Sequence, residues 1–272
     1  MSLRFTKMHG AGNDFVVLDR MRGAPLPDAA LAQRLADRHI GVGCDQIMVV
    51  EGAETGYGYR IYNADGSLAG QCGNGARCVA MYLKVRYGLD SGALLHSPAG
   101  PIAVHFPDAD TVELSLGTPR FAPAEVPLKA DAAALRYALS VGGRQIEFAA
   151  LSMGNPHAVI EVADVASAPV ATLGPRLERH PRFPDRVNVG FVERVDASHL
   201  RLRVWERGVG ETLACGSGAC AAMVAMRRWG RVDAAVTIDL PGGRLGVRWA
   251  GAEAPVYLSG PAVFVFDGEF YT

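Results

Sequence analysis

The chain has 272 residues, 49% of them hydrophobic, with a formal net charge of −1 and a pI near 6.7. Because it carries no block of Lys and Arg to neutralise phosphates, we expect a small-molecule ligand and no nucleic-acid partner. Its start, MSLRFTKMHG, lacks the apolar core and cleavage site of a signal peptide, and no apolar run reaches membrane-spanning length, which favours a cytoplasmic protein without a membrane partner.

Short β-rich segments alternate with Gly-rich turns along the whole chain. In chain order they are FVVLD, QIMVV, YRIYN, AVHF, TVELSL, HAVIEV, NVGFVE, LRLRVWE, VTIDL and VFVF. Helical patterns are fewer: DAALAQRLADRH follows a Pro-Asp start signal, and NGARCVAMYLKVRYG and SGACAAMVAMRRWG each lie between glycines. The predicted fold class is therefore α+β.

An internal repeat relates the two glycine-flanked helices, QCGNGARCVAMYL and ACGSGACAAMVAM. Cys72 corresponds to Cys215, an offset of 143 (215 − 72). Three further landmarks keep this spacing to within one residue: Asn13 with Asn155, Gln46 with Asn188, and Asn63 with Glu206. Four ordered matches predict two halves of like fold, divided near the proline-rich stretch GTPRFAPAEVP, and halves related in this way commonly bind a ligand in the cleft between them.

Each half places Cys-Gly-X-Gly directly before a helix, and this position determines the chemistry of the cysteine. The helix dipole and the unpaired N–H groups stabilise an anion there, so a thiol whose free pKa is about 8.5 becomes more acidic. The backbone N–H groups of the following residues could hold a carboxylate: Gly73, Asn74, Gly216 and Ser217.

Two sulfurs on opposite sides of one α-carbon could invert its configuration. One thiolate takes the α-proton and the other thiol delivers a proton to the opposite face. The N–H groups around the carboxylate would stabilise the enediolate-like charge. Such an amino-acid epimerase needs no cofactor and no metal, with Cys72 and Cys215 as its acid–base pair.

The five cysteines could also have other roles. Packing in the core is the usual role of a buried cysteine, and we assign it to Cys44, Cys78 and Cys220. A zinc module would need different spacings between the ligand pairs, and a Cys72–Cys215 disulfide would be inhibitory. A pyridoxal-phosphate racemase requires a Schiff-base lysine, and none of the three lysines lies in an obvious cofactor motif.

The chain contains the motifs KMHGAGNDFVVLD, GVGCDQ, YNADGS, CGNGARC, MGNPHAV, VNVGFV and VWERGVGETLACGSGACA. Through these motifs, nearly the whole chain resembles the diaminopimelate epimerase family. The resemblance implies two pseudo-symmetric halves, each a β-barrel-like sheet around a central helix, with the active site in the cleft between them. We assign 1–117 to the first half, with the returning last strand 262–272, and 118–261 to the second. The resemblance also implies a homodimer and interconversion of LL- and meso-diaminopimelate for lysine and peptidoglycan-precursor synthesis.

The resemblance places the proton-transfer pair on Cys72 and Cys215 and the reactive carboxylate on the four N–H groups named above. The distal contacts fall on a polar set: Asn13, Gln46, Asn63, Asn155, Asn188, Glu206 and Arg207. Arg207 can clamp the second carboxylate, while Glu206 and His157 match positions that tune the cysteines. Ser217 replaces the usual threonine and Tyr62 a frequent phenylalanine, which affects substrate fit alone.

Two other functions remain open from the sequence. A proline or hydroxyproline racemase-like enzyme would share the paired cysteines but would not need the distal polar set, so Arg207 discriminates between the two. A thiol-based redox or zinc-binding protein would contain bound metal, which elemental analysis would reveal, or a disulfide that cycles with function.

Overall fold

The computed structural model describes residues 2–271. Its strands are β1 Ser2–Gly10, β2 Asn13–Asp19, β3 Gln46–Gly52, β4 Tyr57–Asn63, β5 Leu68–Ala69, β6 Leu94–Ser97, β7 Gly100–His105, β8 Thr111–Ser115, β9 Tyr137–Val141, β10 Arg144–Ser152, β11 Pro156–Val162, β12 Asn188–Arg194, β13 His199–Glu206, β14 Gly210–Thr212, β15 Ala235–Leu240, β16 Gly243–Arg248, β17 Tyr257–Pro261 and β18 Val263–Tyr271. Its α-helices are α1 Ala29–Ala36, α2 Gly73–Tyr87, α3 Val170–Glu178 and α4 Gly216–Arg228, and a short 3-10 helix covers Arg20–Arg22. The chain divides into two compact units, unit 1 (Met1–Ser115 with Ser259–Thr272) and unit 2 (Leu116–Leu258).

Unit 1 is a sheet that curls around one helix. Its strands pair in the order β18-β1-β2-β3-β4-β6-β7-β8, with β2–β3 and β4–β6 parallel and the other pairs antiparallel. Helix α2 contacts β1, β2 and β3 and also β8, at the far end of that order. Because α2 contacts strands near one end of the sheet (β1 to β3) and the strand at the other end (β8), its residues from Asn74 to Leu83 are buried on every side.

Unit 2 repeats this arrangement. Its strands pair in the order β9-β10-β11-β12-β13-β15-β16, with β11–β12 and β13–β15 parallel. Helix α4 contacts β10 to β13 and also β16, and it is buried from Gly218 to Met226. Alanine and methionine fill most of these positions, so strands can approach the helix closely on all sides.

The strand registers confirm the internal repeat and the predicted α+β class. In unit 1, Gln46 lies opposite Phe15 across a parallel pair and opposite Asn63 across an antiparallel pair. In unit 2, Asn188 lies opposite His157 across the equivalent parallel pair. Each repeat therefore brings polar residues at the ends of three neighbouring strands to the same edge of its sheet.

The helix predictions were correct for α1, α2 and α4, but α3 was missed. It contains Pro175, and no side-chain hydrogen bond caps its start, so the usual start and stop signals are absent. Packing holds it instead, since Val170 and Leu177 are buried in the core of unit 2. Within residues 2–271, none of the helices is long and apolar enough to cross a membrane.

Candidate active site

Cys72 occupies the N-cap of α2, as the sequence predicts. Its backbone is extended (φ −151°), and its sulfur accepts a hydrogen bond from the N–H of Gly75 at 3.4 Å. The sulfur also lies 3.7 Å from Oδ1 of Asn13. The thiol thus sits at the positive end of a buried helix, where a thiolate is stabilised.

A tight turn places Asn13 beside this cysteine. Ala11 and Gly12 both have positive φ (53° and 79°), as a two-residue type I′ hairpin requires, and they connect β1 to β2. Asn13 then accepts a hydrogen bond from Nδ2 of Asn74 (3.3 Å) and donates one to the carboxylate of Asp45 (2.6 Å). Unit 1 therefore brings Asn13, Cys72 and Asn74 together.

Gln46 and Asn63 form a second polar group in unit 1. They are paired across β3 and β4, and Nε2 of Gln46 donates to Oδ1 of Asn63 at 2.9 Å. Asn63 in turn donates to the hydroxyl of Ser67 at 3.0 Å. Both amides are half-buried, so they are fixed in orientation yet available to a polar ligand.

Cys215 holds the equivalent N-cap position on α4 and is 5% exposed. Its sulfur lies 3.7 Å from the hydroxyl of Ser217. Glu206, the last residue of β13, hydrogen-bonds to this thiol and accepts a hydrogen bond from the hydroxyl of Thr212 at 2.5 Å. A carboxyl group and a thiol are thus held together in unit 2.

Burial raises the pKa of the Cys215 thiol well above its usual range, and the negative charge of Glu206 raises it further. The N–H of Gly218 and the hydroxyl of Ser217 act in the opposite direction but do not overcome burial. Burial also raises the pKa of Glu206. In this state Cys215 is a thiol at neutral pH, the form that can donate a proton.

Asn155 connects Ser217 to His157. Its Nδ2 donates to the hydroxyl of Ser217 at 3.2 Å, and its Oδ1 lies 2.9 Å from Nε2 of the histidine. Burial, and secondarily the charge of Arg207, lowers the pKa of His157 to about 3. His157 is therefore a neutral imidazole that orients Asn155 and carries no positive charge to stabilise a thiolate.

Asn188 holds the backbone of Arg207. Its Oδ1 accepts a hydrogen bond from the N–H of Arg207 at 2.9 Å, and its Nδ2 donates to the carbonyl of Pro156 at 3.0 Å. The guanidinium of Arg207 is exposed and donates to the carbonyl of Asp185 at 3.0 Å. An exposed guanidinium on a fixed backbone can exchange this carbonyl for a ligand carboxylate.

Sequence reasoning missed Thr212 and Asp45, which hold Glu206 and Asn13 in place. The repeat gives a partial signal for the first, since Thr212 lies opposite Val204 as Ala69 lies opposite Ile61. At this position the hydroxyl is present only in the repeat that contains Glu206, since the other repeat has Ala69. The need for such a donor is visible in the sequence only after Glu206 is known to be buried.

The remaining cysteines lie in the cores of their units. Cys44, Cys78 and Cys220 are at most 3% exposed. Burial raises the pKa of Cys44 to about 11 and that of Cys78 to about 12, so neither is a thiolate at neutral pH. Across residues 2–271, no group of three or more His, Cys, Asp or Glu is arranged to hold a metal ion.

Solved structures of like fold include a phenazine biosynthesis protein and a hydroxyproline epimerase. A phenazine biosynthesis protein of the PhzF family from Bacillus anthracis superposes with a TM-score of 0.69 at 15% identity, covering 100% of both chains. A hydroxyproline epimerase from Agrobacterium vitis superposes with a TM-score of 0.68 at 16% identity, covering 98% of this chain and 92% of that one. At these identities the likeness establishes the fold alone.

Sequence relatives are much more similar. The diaminopimelate epimerase of Xanthomonas campestris is 57% identical over 274 residues, covering 98% of this chain and 96% of that protein. The diaminopimelate epimerase of Ectopseudomonas mendocina is 51% identical over 273 residues, covering 99% of each. The family model described as "Diaminopimelate epimerase" matches residues 5–122 and 149–265. With both repeats matched and both helix-capping cysteines present, this chain belongs to the diaminopimelate epimerase family of isomerases.

Proposed function

We propose that this chain interconverts LL- and meso-2,6-diaminopimelate by two-base proton transfer between cysteines, without a cofactor. One observation carries the proposal: Cys72 and Cys215 occupy the same N-cap position of the buried helix in each repeat. The names and identities of the relatives support the choice of substrate.

In the proposed reaction the two sulfurs act on opposite faces of one α-carbon. Because burial and the charge of Glu206 raise the pKa of Cys215, we assign the role of proton donor to Cys215. Cys72 is then the thiolate that removes the α-proton, and the roles exchange in the reverse reaction. Each forward turnover places a proton on Cys72 and removes one from Cys215, so the net charge of the cysteine pair is unchanged but the two protonation states are exchanged. Proton exchange with water, or a reverse turnover, restores the starting state.

We assign the reactive carboxylate to the backbone N–H groups that open the two helices, on Gly73, Asn74, Gly216 and Ser217. Helix N-termini bind anions through such groups. The same N–H groups would stabilise the negative charge that develops as the α-proton leaves. The hydrogen bond from Asn155 to Ser217 supports this assignment, because it fixes the hydroxyl beside Cys215.

The distal ammonium and carboxylate are assigned to the polar set Asn13, Gln46, Asn63, Asn155, Asn188, Glu206 and Arg207. Arg207 binds the unreactive carboxylate, after leaving the carbonyl of Asp185. Amide and carboxylate oxygens accept from the ammonium and select its configuration. Lysine and peptidoglycan-precursor synthesis in the cytoplasm is the proposed setting.

The proposed activity is tested by incubating the protein with LL-diaminopimelate in deuterated water and following meso product and α-deuterium by NMR. Wild type should form meso product with deuterium at the inverted centre. Cys72→Ala and Cys215→Ala should each abolish inversion, because each face needs its own proton carrier. Cys78→Ala, a buried cysteine on the same helix as Cys72, is the matched control. Inversion by either active-site variant would refute the two-base mechanism.

Arg207→Ala distinguishes diaminopimelate from a substrate with a single carboxylate. We expect KM for diaminopimelate to rise at least about tenfold, since a charge-assisted hydrogen-bond pair is lost. Arg194→Ala is the matched control, because Arg194 is also exposed and also donates to a backbone carbonyl, that of Arg231. An unchanged KM in Arg207→Ala would favour a proline or hydroxyproline racemase-like activity.

We also propose a homodimer. The last strand, β18, leaves apolar side chains exposed, among them Val265 (53%), Phe266 (48%) and Tyr271 (75%). Such a row on an edge region favours association with a second copy. Light scattering on the purified protein should give twice the monomer mass of 28.8 kDa.

A further inference from the structure

We propose that Glu178 is a positioning residue that fixes the turn carrying Glu206 and Arg207, and this inference rests on the proposed function of those two residues. Glu178 ends helix α3, the helix that sequence patterns do not reveal. It lies outside the set assigned to the substrate. Its side chain is 2% exposed, and a carboxylate so deeply buried needs strong partners.

Both oxygens of Glu178 accept hydrogen bonds from residues that bracket the site pair. Oε2 accepts from the indole Nε1 of Trp205 at 2.8 Å, and Oε1 accepts from the backbone N–H of Gly208 at 2.9 Å. Trp205 precedes Glu206, and Gly208 follows Arg207. The Glu178 carboxylate thus holds the turn by hydrogen bonds on both sides of Glu206 and Arg207, and we call this pair of hydrogen bonds the clamp.

The environment of Glu178 keeps it ionised in this role. Burial alone would raise its pKa, but the hydrogen bonds from Trp205 and Gly208 hold the pKa below its ordinary value. The guanidinium of Arg186, 3.7 Å from Oε1, acts in the same direction. An ionised carboxylate makes stronger hydrogen bonds than a neutral amide, so the clamp is suited to rigid positioning.

Helix α3 itself is held closely against this turn. A Cβ atom at Gly174, one turn before Glu178, would lie 2.7 Å from Cβ and Cγ of Trp205, so only glycine allows this approach. Because helix α3 is packed tightly against Trp205, the backbone that carries the Glu178 carboxylate is fixed in position relative to the turn. Glu206 has independent support, because its backbone pairs with Gly210 and its carboxyl group binds Thr212. The main consequence of losing the clamp should fall on Arg207.

The test compares Glu178→Gln with Glu193→Gln and wild type in the full-length protein. Glu193 is a matched control, because it also accepts one backbone N–H (Val165, 3.0 Å) and pairs with an arginine (Arg201, 3.1 Å). In Glu178→Gln the amide nitrogen meets an N–H donor, so one hydrogen bond is lost. KM for diaminopimelate should rise about tenfold while kcat falls less than about threefold, and Glu193→Gln should match wild type.

Backbone amide exchange supplies a readout that does not depend on the substrate. The N–H of Gly208 should exchange faster in Glu178→Gln than in wild type, and at the wild-type rate in Glu193→Gln. If wild type does not turn over diaminopimelate, the proposed function fails. The exchange rate of the Gly208 N–H then tests by itself whether Glu178 positions the turn. Unchanged KM in an active enzyme, or unchanged Gly208 exchange in an inactive one, would overturn it.

A second variant covers the case in which Glu178→Gln does not fold. Trp205→Phe keeps an aromatic ring against Gly174 and removes the indole donor together with part of the ring. The carboxylate then holds the turn from one side, and KM should rise about threefold. A KM equal to that of wild type in this folded variant would contradict the clamp.

Discussion

At the scale of single residues, the two cysteines share a position but differ in their surroundings. Cys72 lies beside the amide of Asn13, whereas Cys215 lies beside the carboxyl group of Glu206. Asn63 in the first repeat corresponds to Glu206 in the second. A carboxyl group therefore lies at this position only in the second repeat. The proposed reaction needs two thiols that differ in protonation, and this difference in neighbouring charge supports that assignment.

Replacement of Glu206 tests this asymmetry. Because the negative charge of Glu206 raises the pKa of Cys215, Glu206→Gln should lower that pKa, and kcat should fall at least about tenfold through loss of the tuned acid–base pair. The pKa is measured from the pH dependence of iodoacetamide alkylation at Cys215 in a Cys72→Ala background.

Glu211→Gln is the control for this experiment. Glu211 is adjacent to Thr212 on the same short strand, but it pairs with Arg203. Its replacement should leave the alkylation profile of Cys215 unchanged. If Glu206→Gln in the Cys72→Ala background gave the same profile as Cys72→Ala alone, the carboxyl group would not act on the thiol.

At the scale of elements, close approaches between helix and strand position the site in unit 2. Helix α3 packs on β13 where Gly174 faces Trp205, and helix α4 packs where Gly218 faces Val204. A methyl group at Gly174 would meet atoms next to the backbone, which cannot rotate away.

We expect Gly174→Ala to destabilise the protein by about 1–3 kcal/mol, the usual cost of overpacking a tight contact. Urea unfolding measures the change. Gly52→Ala is the control, because a Cβ there meets nothing within 4 Å and its backbone needs no left-handed conformation. Equal stability of Gly174→Ala and Gly52→Ala would mean that α3 can shift without loss.

At the scale of the whole molecule, buried neutral groups couple stability to pH. His157 is 1% exposed, and its pKa falls from 6.5 to about 3 in the folded protein. Between these values the unfolded chain binds a proton at this position that the folded chain does not. The stability contributed by a neutral His157 is therefore complete above about pH 6.5 and is lost as the pH falls toward 3.

Replacing the imidazole should remove this pH dependence. For His157→Gln, the free energy of unfolding should fall less steeply with pH between 6 and 4 than for wild type, by up to about 1.4 kcal/mol per pH unit. Urea unfolding at several pH values measures the slopes. Parallel slopes for wild type and His157→Gln would contradict a buried neutral histidine.

Sequence patterns predict the repeat, most strands, helices α1, α2 and α4, and the N-cap position of both cysteines. These features depend on hydrophobic period, turn residues and capping residues, which are local in the chain. Helix α3, the hydrogen bonds of Glu178 and the contact of Thr212 with Glu206 are visible only in the tertiary structure. These depend on burial and on groups that are distant in the chain: Glu178 reaches Gly208 only because Gly174 lets α3 approach Trp205. A buried carboxylate is identified by its surroundings, and no local pattern encodes them.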